Sequence, residues 1–401
     1  MRNFISGITY LLVGCSVILL ILIIFVNFKE KVWDNFVPDE LSKAEKSSEE
    51  TENPADNQPD TAQETTLYAL PPSNSNSNSN VNVEDAVVYD GKLELPVNGA
   101  TGYASVDVDV FNNDLTVIYT TLKPGKGFRI LNEYETWWQI YVKADPETGG
   151  TEDIIGWVRH NLCMINLPDV IPSIIYNNTN AYKSVFRANE EVIPEITGEQ
   201  LYSYSDRKDG VIFNERLQKN EYIVPVLYAM AERICQAQRK AQANGDTLVI
   251  YEGFRPLETQ NRVYNAVLNL PYSQKNFGSY DMIWFIARGK ANHQMGYAID
   301  TSLAQIVETK YSVAGKYKYP QFDRYIEYNM PCQIHELSVM ATLANARDNI
   351  YAQGLQKYCN DAGLSSIPSE WWHFNDEYAH AGITKESGGD YFITECFSVA
   401  P

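Results

Sequence analysis

Cysteine, histidine and clustered positive charge are all scarce in this sequence of 401 residues. The six cysteines form no Cys-x-x-Cys pair, which argues against a zinc site built from thiolates, and they are too few for a disulfide scaffold. We expect those beyond the N-terminal segment to be buried free thiols with at most one bridge. The formal net charge is −19 and no Lys/Arg cluster is present, which argues against a nucleic-acid partner because phosphate binding needs concentrated positive charge.

Charged residues are also missing from Asn3 to Phe28, where Leu, Ile, Val and Phe dominate. At about 1.5 Å per residue, a helix of this length spans a hydrocarbon core of roughly 30 Å. Leu12 to Cys15 resembles the lipobox of bacterial lipoproteins, but the residues that follow stay apolar where a lipoprotein turns polar. We therefore predict a single-pass transmembrane anchor over residues 1–29. Its orientation is not set by the positive-inside rule, because basic residues flank the segment on both sides.

An acidic segment follows the predicted anchor. Residues 30–85 contain 13 acidic and 3 basic residues and include a strict Ser-Asn alternation from Ser73 to Asn80. Such a composition cannot bury enough apolar surface to offset the entropy of ordering, so we predict a disordered acidic linker. A flexible coil of this length would have a reach of roughly 40 Å, which suits a domain held away from a membrane.

Short β-type runs begin after the linker and predict a small all-β domain over residues 86–167. The predicted strands are Leu115 to Tyr119, Phe128 to Glu133, Trp137 to Val142 and Ile154 to Val158. A Lys-Pro-Gly turn, the Trp137-Trp138 pair and a Gly-Trp-Val segment occur in an order that resembles a bacterial SH3-like barrel. Domains of that family commonly bind peptidoglycan or wall-associated partners. The alternative is that the three tryptophans of this region are core residues.

Residues 168–401 show a mixed pattern that predicts an α+β domain. Apolar residues repeat at helical spacing from Glu221 to Gln242, and a strand is expected from Thr247 to Tyr251. A second helix is predicted through Leu268 and a third from Glu336 to about Asp361, followed by a strand-like aromatic run from Ile367 to Phe374. Residues 272–330 are predicted to be largely loop-like.

Two of the five histidines lie in segments that suit zinc binding. His293 is followed by Asp300 in Ala291-Asn292-His293-Gln294-Met295-Gly296-Tyr297-Ala298-Ile299-Asp300, and His373 follows Glu370 in Glu370-Trp371-Trp372-His373. Two imidazoles and one carboxylate leave a fourth tetrahedral position open, which is the arrangement of a catalytic zinc site. Glu370 is then placed to act as the general base. A third histidine, His335, is expected to cap the helix that starts at Glu336.

The spacing of these residues imposes a condition on the backbone. Residues three or seven apart point to opposite faces of a regular strand. Glu370 and His373 can therefore address one metal ion only if the chain bulges between them. His293 and Asp300 meet the same condition, and Gly296 is the expected break.

The pattern His-x2-Gly-x-Ala-x-Asp, followed downstream by Glu-Trp-Trp-His-Phe, resembles the D-alanyl-D-alanine zinc metallopeptidases of the VanX and VanY types. The unbroken Glu-Trp-Trp-His and the upstream Tyr-Glu-Gly-Phe-Arg-Pro segment are closer to the VanX dipeptidase branch. This resemblance implies an α+β domain with an antiparallel sheet. It implies one Zn²⁺ bound by His293, Asp300 and His373, with Glu370 as general base and Arg255 supporting the oxyanion. Where the family usually has Ser before the first ligating His, this chain has Ala291 and Asn292.

The implied activity is hydrolysis of D-Ala-containing peptides. Dipeptidases of this family clear a cytoplasmic pool, whereas a membrane anchor, a linker and an SH3-like domain suit polymeric wall outside the membrane. We therefore expect a carboxypeptidase or endopeptidase acting on peptidoglycan stem peptides, with its C-terminal domains extracytoplasmic. The alternatives are a D-Ala-D-Ala dipeptidase and a catalytically inactive wall-binding protein or sensor of wall fragments.

Overall fold

The structure is a computed structural model that describes residues 81–144, 152–177, 187–188, 191–192, 224–270, 284–389, 391–394 and 396. These residues belong to one compact unit that spans residues 78–401. Within them, no helix has both the length and the apolar character needed to cross a membrane. The predicted anchor at residues 1–29 and all but the last five residues of the predicted linker lie outside the described part of the chain.

The described residues form an α+β fold in which strands predominate. The strands are β1 Val87–Val88, β2 Thr101–Ala104, β3 Val108–Phe111, β4 Ile118–Leu122, β5 Gly127–Tyr134, β6 Trp137–Val142, β7 Ile154–Arg159, β8 Cys163–Asn166, β9 Ile175–Tyr176, β10 Arg187–Ala188, β11 Glu191–Val192, β12 Pro225–Leu227, β13 Asp246–Glu252, β14 Ala298–Ala314, β15 Tyr317–Glu327, β16 Glu336–Leu337, β17 Ser365–Ile367 and β18 Glu370–Asn375. The α-helices are α1 Leu167–Val170, α2 Tyr228–Gln242, α3 Leu257–Asn269, α4 Leu343–Ala346, α5 Ile350–Asn360 and α6 Glu377–Ser387. Short 3-10 turns occupy His160–Leu162, Asn292–Met295 and Val339–Ala341.

An eight-stranded sheet, here called the N-terminal sheet, has the strand order β12-β8-β2-β5-β6-β7-β3-β4. The predicted strand over Trp137–Val142 is confirmed, and the three other predicted strands overlap β4, β5 and β7. Burial alternates along β3: Val108 and Val110 are buried, and the residues between and after them are partly exposed. One face of this sheet therefore packs on the core. Strand β12 joins this sheet from well beyond residue 167, so the SH3-like assignment of residues 86–167 remains a prediction.

A seven-stranded sheet is antiparallel at its centre. Strand β14 pairs antiparallel with β13, β15 and β18, and β18 pairs with β17. The expected antiparallel sheet is therefore present. The loop expected over residues 272–330 is wrong from residue 298 onward, because β14 and β15 form a long hairpin that turns at Gly315. Much of this hairpin is exposed on both faces, so its sequence lacks the apolar alternation that marks a half-buried strand.

The predicted helices occur with altered ends. Helix α2 begins at Tyr228 because the preceding residues, including Pro225, pair with β8 as strand β12. The helix predicted from Glu336 to Asp361 is interrupted, and only α4 and α5 are α-helical. Asn349 starts α5 by accepting hydrogen bonds from the first backbone N–H groups of that helix, and Ser338 caps the preceding 3-10 turn. Side-chain caps thus divide a segment whose apolar spacing suggested one helix.

One hydrophobic cluster extends through both sheets. It includes Val110 and Trp138 of the N-terminal sheet, Ile250 and Phe374 of the seven-stranded sheet, and Ile234 of α2. Cys163, Cys235 and Cys359 are buried free thiols, as expected, Cys332 is a partly buried free thiol, and Cys396 is buried. Because both sheets contribute to one core, the elements that carry the candidate site are packed against the N-terminal sheet.

Candidate metal centre

Three neighbouring strands of the seven-stranded sheet place three polar side chains in one row. Asp300 of β14 lies opposite Glu252 of β13 on one side and opposite His373 of β18 on the other. Residues directly opposite each other in a sheet have their side chains on the same face. The sheet register therefore brings Asp300 and His373, which are far apart in sequence, to one place.

His293 reaches the same place from a 3-10 turn over Asn292–Met295 that precedes β14. The turn ends at Gly296, whose φ of +73° is the left-handed conformation that only glycine adopts at little cost. The expected backbone break between His293 and Asp300 is thus confirmed. Gln294 fixes the turn, since its side chain accepts a hydrogen bond from Ala291 N and donates one to Arg255 O, each at 2.8 Å.

The second expected break, between Glu370 and His373, is also confirmed. In the pairing of β17 with β18, Ser366 lies opposite Phe374 but the next residue, Ile367, lies opposite Glu370. Three residues of β18 therefore bulge out of the ladder, which turns Glu370 towards His373. The Glu370 Oε2 to His373 Nδ1 distance is 3.6 Å.

The donor atoms of the three predicted ligands converge. Asp300 Oδ1 lies 3.1 Å from His373 Nδ1 and 3.4 Å from His293 Nε2, and the two imidazole nitrogens are 3.2 Å apart. Tetrahedral zinc with bonds of about 2.0–2.2 Å would separate its ligand atoms by roughly 3.3–3.5 Å. The observed distances fit a single ion of this kind.

The hydrogen bonds on the far side of each imidazole set which nitrogen is free to bind a metal. His293 Nδ1 lies 2.7 Å from Gly253 O, and His373 Nε2 lies 2.9 Å from Asn375 Oδ1. Both partners are acceptors, so these two nitrogens carry the protons and the facing nitrogens present lone pairs. Two lone pairs and a carboxylate oxygen pointing at one another within 3.4 Å are repulsive unless a cation lies between them.

The carboxylates of the site have opposite pKa shifts. Burial raises the pKa of the Asp300 carboxyl, but histidines that carry a proton towards Asp300, His293 foremost, hold that pKa well below its usual value. A metal ion bound by the lone pairs of the same nitrogens would favour the ionised carboxylate in the same way. Asp300 is therefore ionised, as a metal ligand must be. Burial raises the pKa of Glu370 to about 7, against the opposing effect of the nearby His373. A carboxyl with such a pKa can take up and release a proton near neutral pH.

Arg255 lies at the edge of the same site and is almost fully buried. Its guanidinium donates to both carboxylate oxygens of Glu252, to Gln260 Oε1 at 2.8 Å and to Asp300 Oδ2 at 3.4 Å. The chain turns at Gly253, where an added Cβ would lie 2.9–3.2 Å from Val224, Pro225 and Val226. The structure thus places Arg255 beside Asp300, where it forms an ion pair with Glu252.

A second group of potential ligands lies beside the first. Glu252, Asp300 and His335 also place three donor atoms close together. In this group the positive charge is supplied by the Arg255 guanidinium, which contacts both carboxylates. Arg255 lies against Asp300 Oδ2, whereas the atoms that converge in the other group are Asp300 Oδ1, His293 Nε2 and His373 Nδ1, which makes that group the candidate metal centre.

The sequence interpretation did not identify three residues of the site: His335, Glu252 and Asn375. His335 does not cap a helix, because residues 336–337 form strand β16; its Nε2 lies 3.2 Å from Asp300 Oδ2. Glu252 carried a usable signal, since it stands three residues before Arg255 in the segment that suggested the family. Nothing in the local sequence distinguishes His335 or Asn375.

Asn292, where the chain departs from the family, has a defined structural role. Its side chain donates to Asn375 Oδ1 at 3.1 Å and accepts from Tyr297 OH at 2.8 Å. Asn375 in turn holds His373 Nε2. Asn292 therefore supports a metal ligand through one intervening residue, and it also borders the cavity.

A cavity of about 210 Å³ opens onto the candidate centre. It is bordered by the three predicted ligands, Glu370, Arg255, Lys290 and aromatic residues that include Trp284 and Trp372. Trp371 and Trp372 are both buried and contact each other edge to face, and Trp372 also lines the cavity. The volume suits the end of a peptide rather than a long stretch of chain, since pockets for larger ligands measure about 300–1,000 Å³.

These features define a three-ligand metal centre with a neighbouring carboxylate, the arrangement found in hydrolytic zinc enzymes. Residues 185–384, which include all five predicted site residues, match the model of the family described as D-ala-D-ala dipeptidase, Peptidase_M15. This half of the chain is thus similar to a family of metallopeptidases.

Comparisons with individual proteins add little to this match. A search of curated proteins found no match. Among solved structures, the chain is similar to a mutant of the vancomycin-resistance D,D-pentapeptidase VanY from a VanB-type resistance cassette, in complex with Zn(II). The identity is 16%, the similarity covers 43% of this chain and 84% of that chain, and the TM-score is 0.24. A TM-score of this size does not establish a common fold.

Proposed function

We propose that the protein is a zinc D,D-peptidase that hydrolyses D-Ala-containing peptidoglycan stem peptides as a carboxypeptidase or endopeptidase. The observation that carries this proposal is the convergence of His293 Nε2, Asp300 Oδ1 and His373 Nδ1 beside Glu370, inside the range that matches a peptidase family. A zinc ion held by the three ligands would lower the pKa of a water molecule towards about 7 and polarise the scissile carbonyl.

Glu370 performs the proton transfers in this proposal. Its carboxylate accepts the proton of the attacking water and delivers it to the leaving amine. Burial of the carboxyl, which raises its pKa to about 7, suits both steps because neither protonation state is strongly favoured at neutral pH. Arg255 lies at the cavity wall and contacts Asp300. We assign it two roles: it stabilises the developing oxyanion, and it helps to hold Asp300 in place.

The charges around the cavity favour a substrate with a free carboxylate. Arg255 and Lys290 are its two cationic lining residues among those the structure describes. The charge of Arg255 is balanced by Glu252 and Asp300, whereas Lys290 forms no ion pair with a described residue and lies over the Phe392 ring at 3.8 Å. Lys290 is thus placed to bind the terminal carboxylate of D-Ala, which supports carboxypeptidase activity over endopeptidase activity.

The proposed setting is the outer face of a bacterial membrane. Residues 1–29 would anchor the chain, the acidic linker would hold the catalytic part away from the bilayer, and the SH3-like domain would contact the wall. The second candidate function, a D-Ala-D-Ala dipeptidase, is favoured by the description of the matching family.

Product masses from defined substrates test the proposal. The zinc-loaded protein is incubated with D-Ala-D-Ala, a stem pentapeptide ending in D-Ala-D-Ala, the matching tetrapeptide and a cross-linked dimer. We expect release of D-Ala from the pentapeptide with a higher kcat/KM than hydrolysis of the free dipeptide. Turnover of the dipeptide alone would identify a dipeptidase, and no turnover of any substrate would contradict a peptidase function.

A further inference from the structure

The two oxygens of the Asp300 carboxylate have different neighbours. Oδ1 faces the metal centre, 3.1 Å from His373 Nδ1 and 3.4 Å from His293 Nε2. Oδ2 faces away from it and lies 3.2 Å from His335 Nε2 and 3.4 Å from the Arg255 guanidinium. An ionised carboxylate only accepts hydrogen bonds. His335 Nε2 therefore carries a hydrogen atom and donates a hydrogen bond to Oδ2.

His335 is held in a conformation that its residue type seldom adopts. Its φ is +61°, in the left-handed region, where the Cβ crowds the backbone. The residue is only 2% exposed, its carbonyl accepts a hydrogen bond from Arg187 N, and its ring contacts the edges of Tyr251 and Trp372. Strained residues of this kind persist where the surrounding structure fixes them, often beside a functional site.

We propose that His335 is a positioning residue that fixes Asp300 as a one-oxygen ligand of the metal, an inference that rests on the metal centre of the proposed function. A carboxylate can rotate to offer both oxygens to a cation or to turn away from it. The donor at Oδ2 prevents both movements and keeps Oδ1 directed at His293 and His373. Hydrogen bonds to ligating groups commonly change metal affinity by about 10–100-fold when they are removed.

Arg255 alone does not perform this role. Its guanidinium is shared between Asp300 Oδ2 and Glu252, and the shorter contacts are those with Glu252. His335 Nε2 lies 4.0 Å from Glu252 Oε2 and is closer to Asp300. The histidine is therefore the nearer donor to the oxygen that must be held.

Two substitutions of similar length separate the donor from the volume of the side chain. His335→Gln keeps an amide donor on a chain of comparable reach, and His335→Met removes the donor. We expect His335→Met to weaken zinc binding by about 10–100-fold, measured by competition with a chelator on the full chain. His335→Gln should recover most of this loss, and the visible spectrum of the Co(II)-loaded protein should change in the Met variant alone.

His160→Met is the matched control, because His160 packs against Trp138 and Tyr228 and belongs to neither the cavity lining nor the candidate metal centre. Equal zinc affinity in His335→Met and the unaltered protein would overturn the proposal, as would an equal loss in both His335 variants. Two zinc ions per unaltered chain, with one lost in His335→Met, would also overturn it, since His335 would then be a ligand with Glu252.

This measurement is independent of peptide hydrolysis. Weakened zinc binding in His335→Met, together with no turnover of D-Ala peptides by the unaltered protein, would leave the positioning role intact and contradict the proposed function. Turnover by the unaltered protein together with unchanged zinc affinity in His335→Met would support the proposed function and contradict the positioning role.

Discussion

Glu370 is the residue on which the assignment of a hydrolase depends most directly. It lies 3.6 Å from His373, and its buried carboxyl is poised to exchange a proton near neutral pH. We expect Glu370→Gln to lower kcat/KM by about 10²–10⁴-fold while the zinc content stays at one ion per chain, because the amide cannot accept the proton. Steady-state kinetics and metal analysis on the same samples check this result.

The exposed Glu258 of α3 provides the control for that experiment. Glu258→Gln removes the same charge outside the cavity and should leave both readouts unchanged. Full activity in Glu370→Gln would remove Glu370 from the mechanism and leave its proximity to His373 without a catalytic meaning.

Lys290 is the residue that we propose binds the terminal carboxylate of the substrate. Lys290→Met should raise KM about tenfold for a pentapeptide with a free terminal carboxylate, equivalent to about 1.4 kcal/mol of lost binding. The same peptide with a terminal carboxamide should be hydrolysed equally by both proteins, because it offers no charge to bind. Arg288→Met, two residues away and outside the cavity lining, is the control. Equal loss on both peptides would indicate a role in packing instead.

The site residues show what local sequence can and cannot predict. His293, Asp300 and His373 lie in motifs with recognisable neighbours, and their convergence follows from a strand register that pairs Asp300 with His373. His335 reaches Asp300 only through the tertiary fold, from a segment whose sequence resembles the start of a helix. Positions of this kind follow from contacts between distant segments, and a single sequence carries no record of them.

Gly296 connects the metal-binding turn to the N-terminal sheet at the scale of structural elements. Its carbonyl accepts a hydrogen bond from Leu227 N of β12, and a Cβ added at Gly296 would lie 2.4 Å from Met164 Sδ of β8. Gly296→Ala should therefore combine the cost of a left-handed Ala, about 1–2 kcal/mol, with an overpacking cost of about 1–3 kcal/mol. Chemical denaturation measures the sum, and chelator competition should show weaker zinc binding because His293 moves with the turn.

Gly245→Ala isolates the backbone part of this effect. Gly245 has a φ of +80°, but an added Cβ there would meet nothing within 4 Å. We expect Gly296→Ala to cost at least about 1 kcal/mol more than Gly245→Ala, and Met164→Ala to recover part of that difference in the double variant. Equal costs for the two glycine substitutions would show that β8 does not press on the metal-binding turn.

Elements with regular burial were predicted well, and those without it were not. Strand β6 and the apolar face of α2 follow simple periodicities, and each was found close to its predicted position. The β14–β15 hairpin extends past the core, so its exposed residues carry no alternation to recognise. The 3-10 turn and α5 each begin at a side-chain cap, Ser338 and Asn349, whose effect depends on how the chain packs around them.

At the scale of the whole molecule, residues beyond 167 are joined to the N-terminal sheet by several contacts. Strand β12 pairs with β8, Tyr228 of α2 donates to Glu133 of β5 at 2.7 Å, and Asn166 accepts a hydrogen bond from Val224 N. Sequence patterns alone divide these parts at residue 167, because the β-rich and mixed segments differ in composition. The division remains a prediction, and the shared core argues that the two parts fold together.

Removal of the N-terminal sheet tests that dependence. A chain that begins at residue 78 should unfold cooperatively and bind zinc like the full chain, since it keeps the whole compact unit. A chain that begins at residue 168 loses β8, so β12 has no partner and Gly296 loses its contact with Met164. We expect this shorter chain to lack a cooperative thermal transition by circular dichroism and to bind no stoichiometric zinc. Hydrolysis of soluble D-Ala peptides by it at the full chain's rate would instead mark residues 86–167 as a separable wall-binding module.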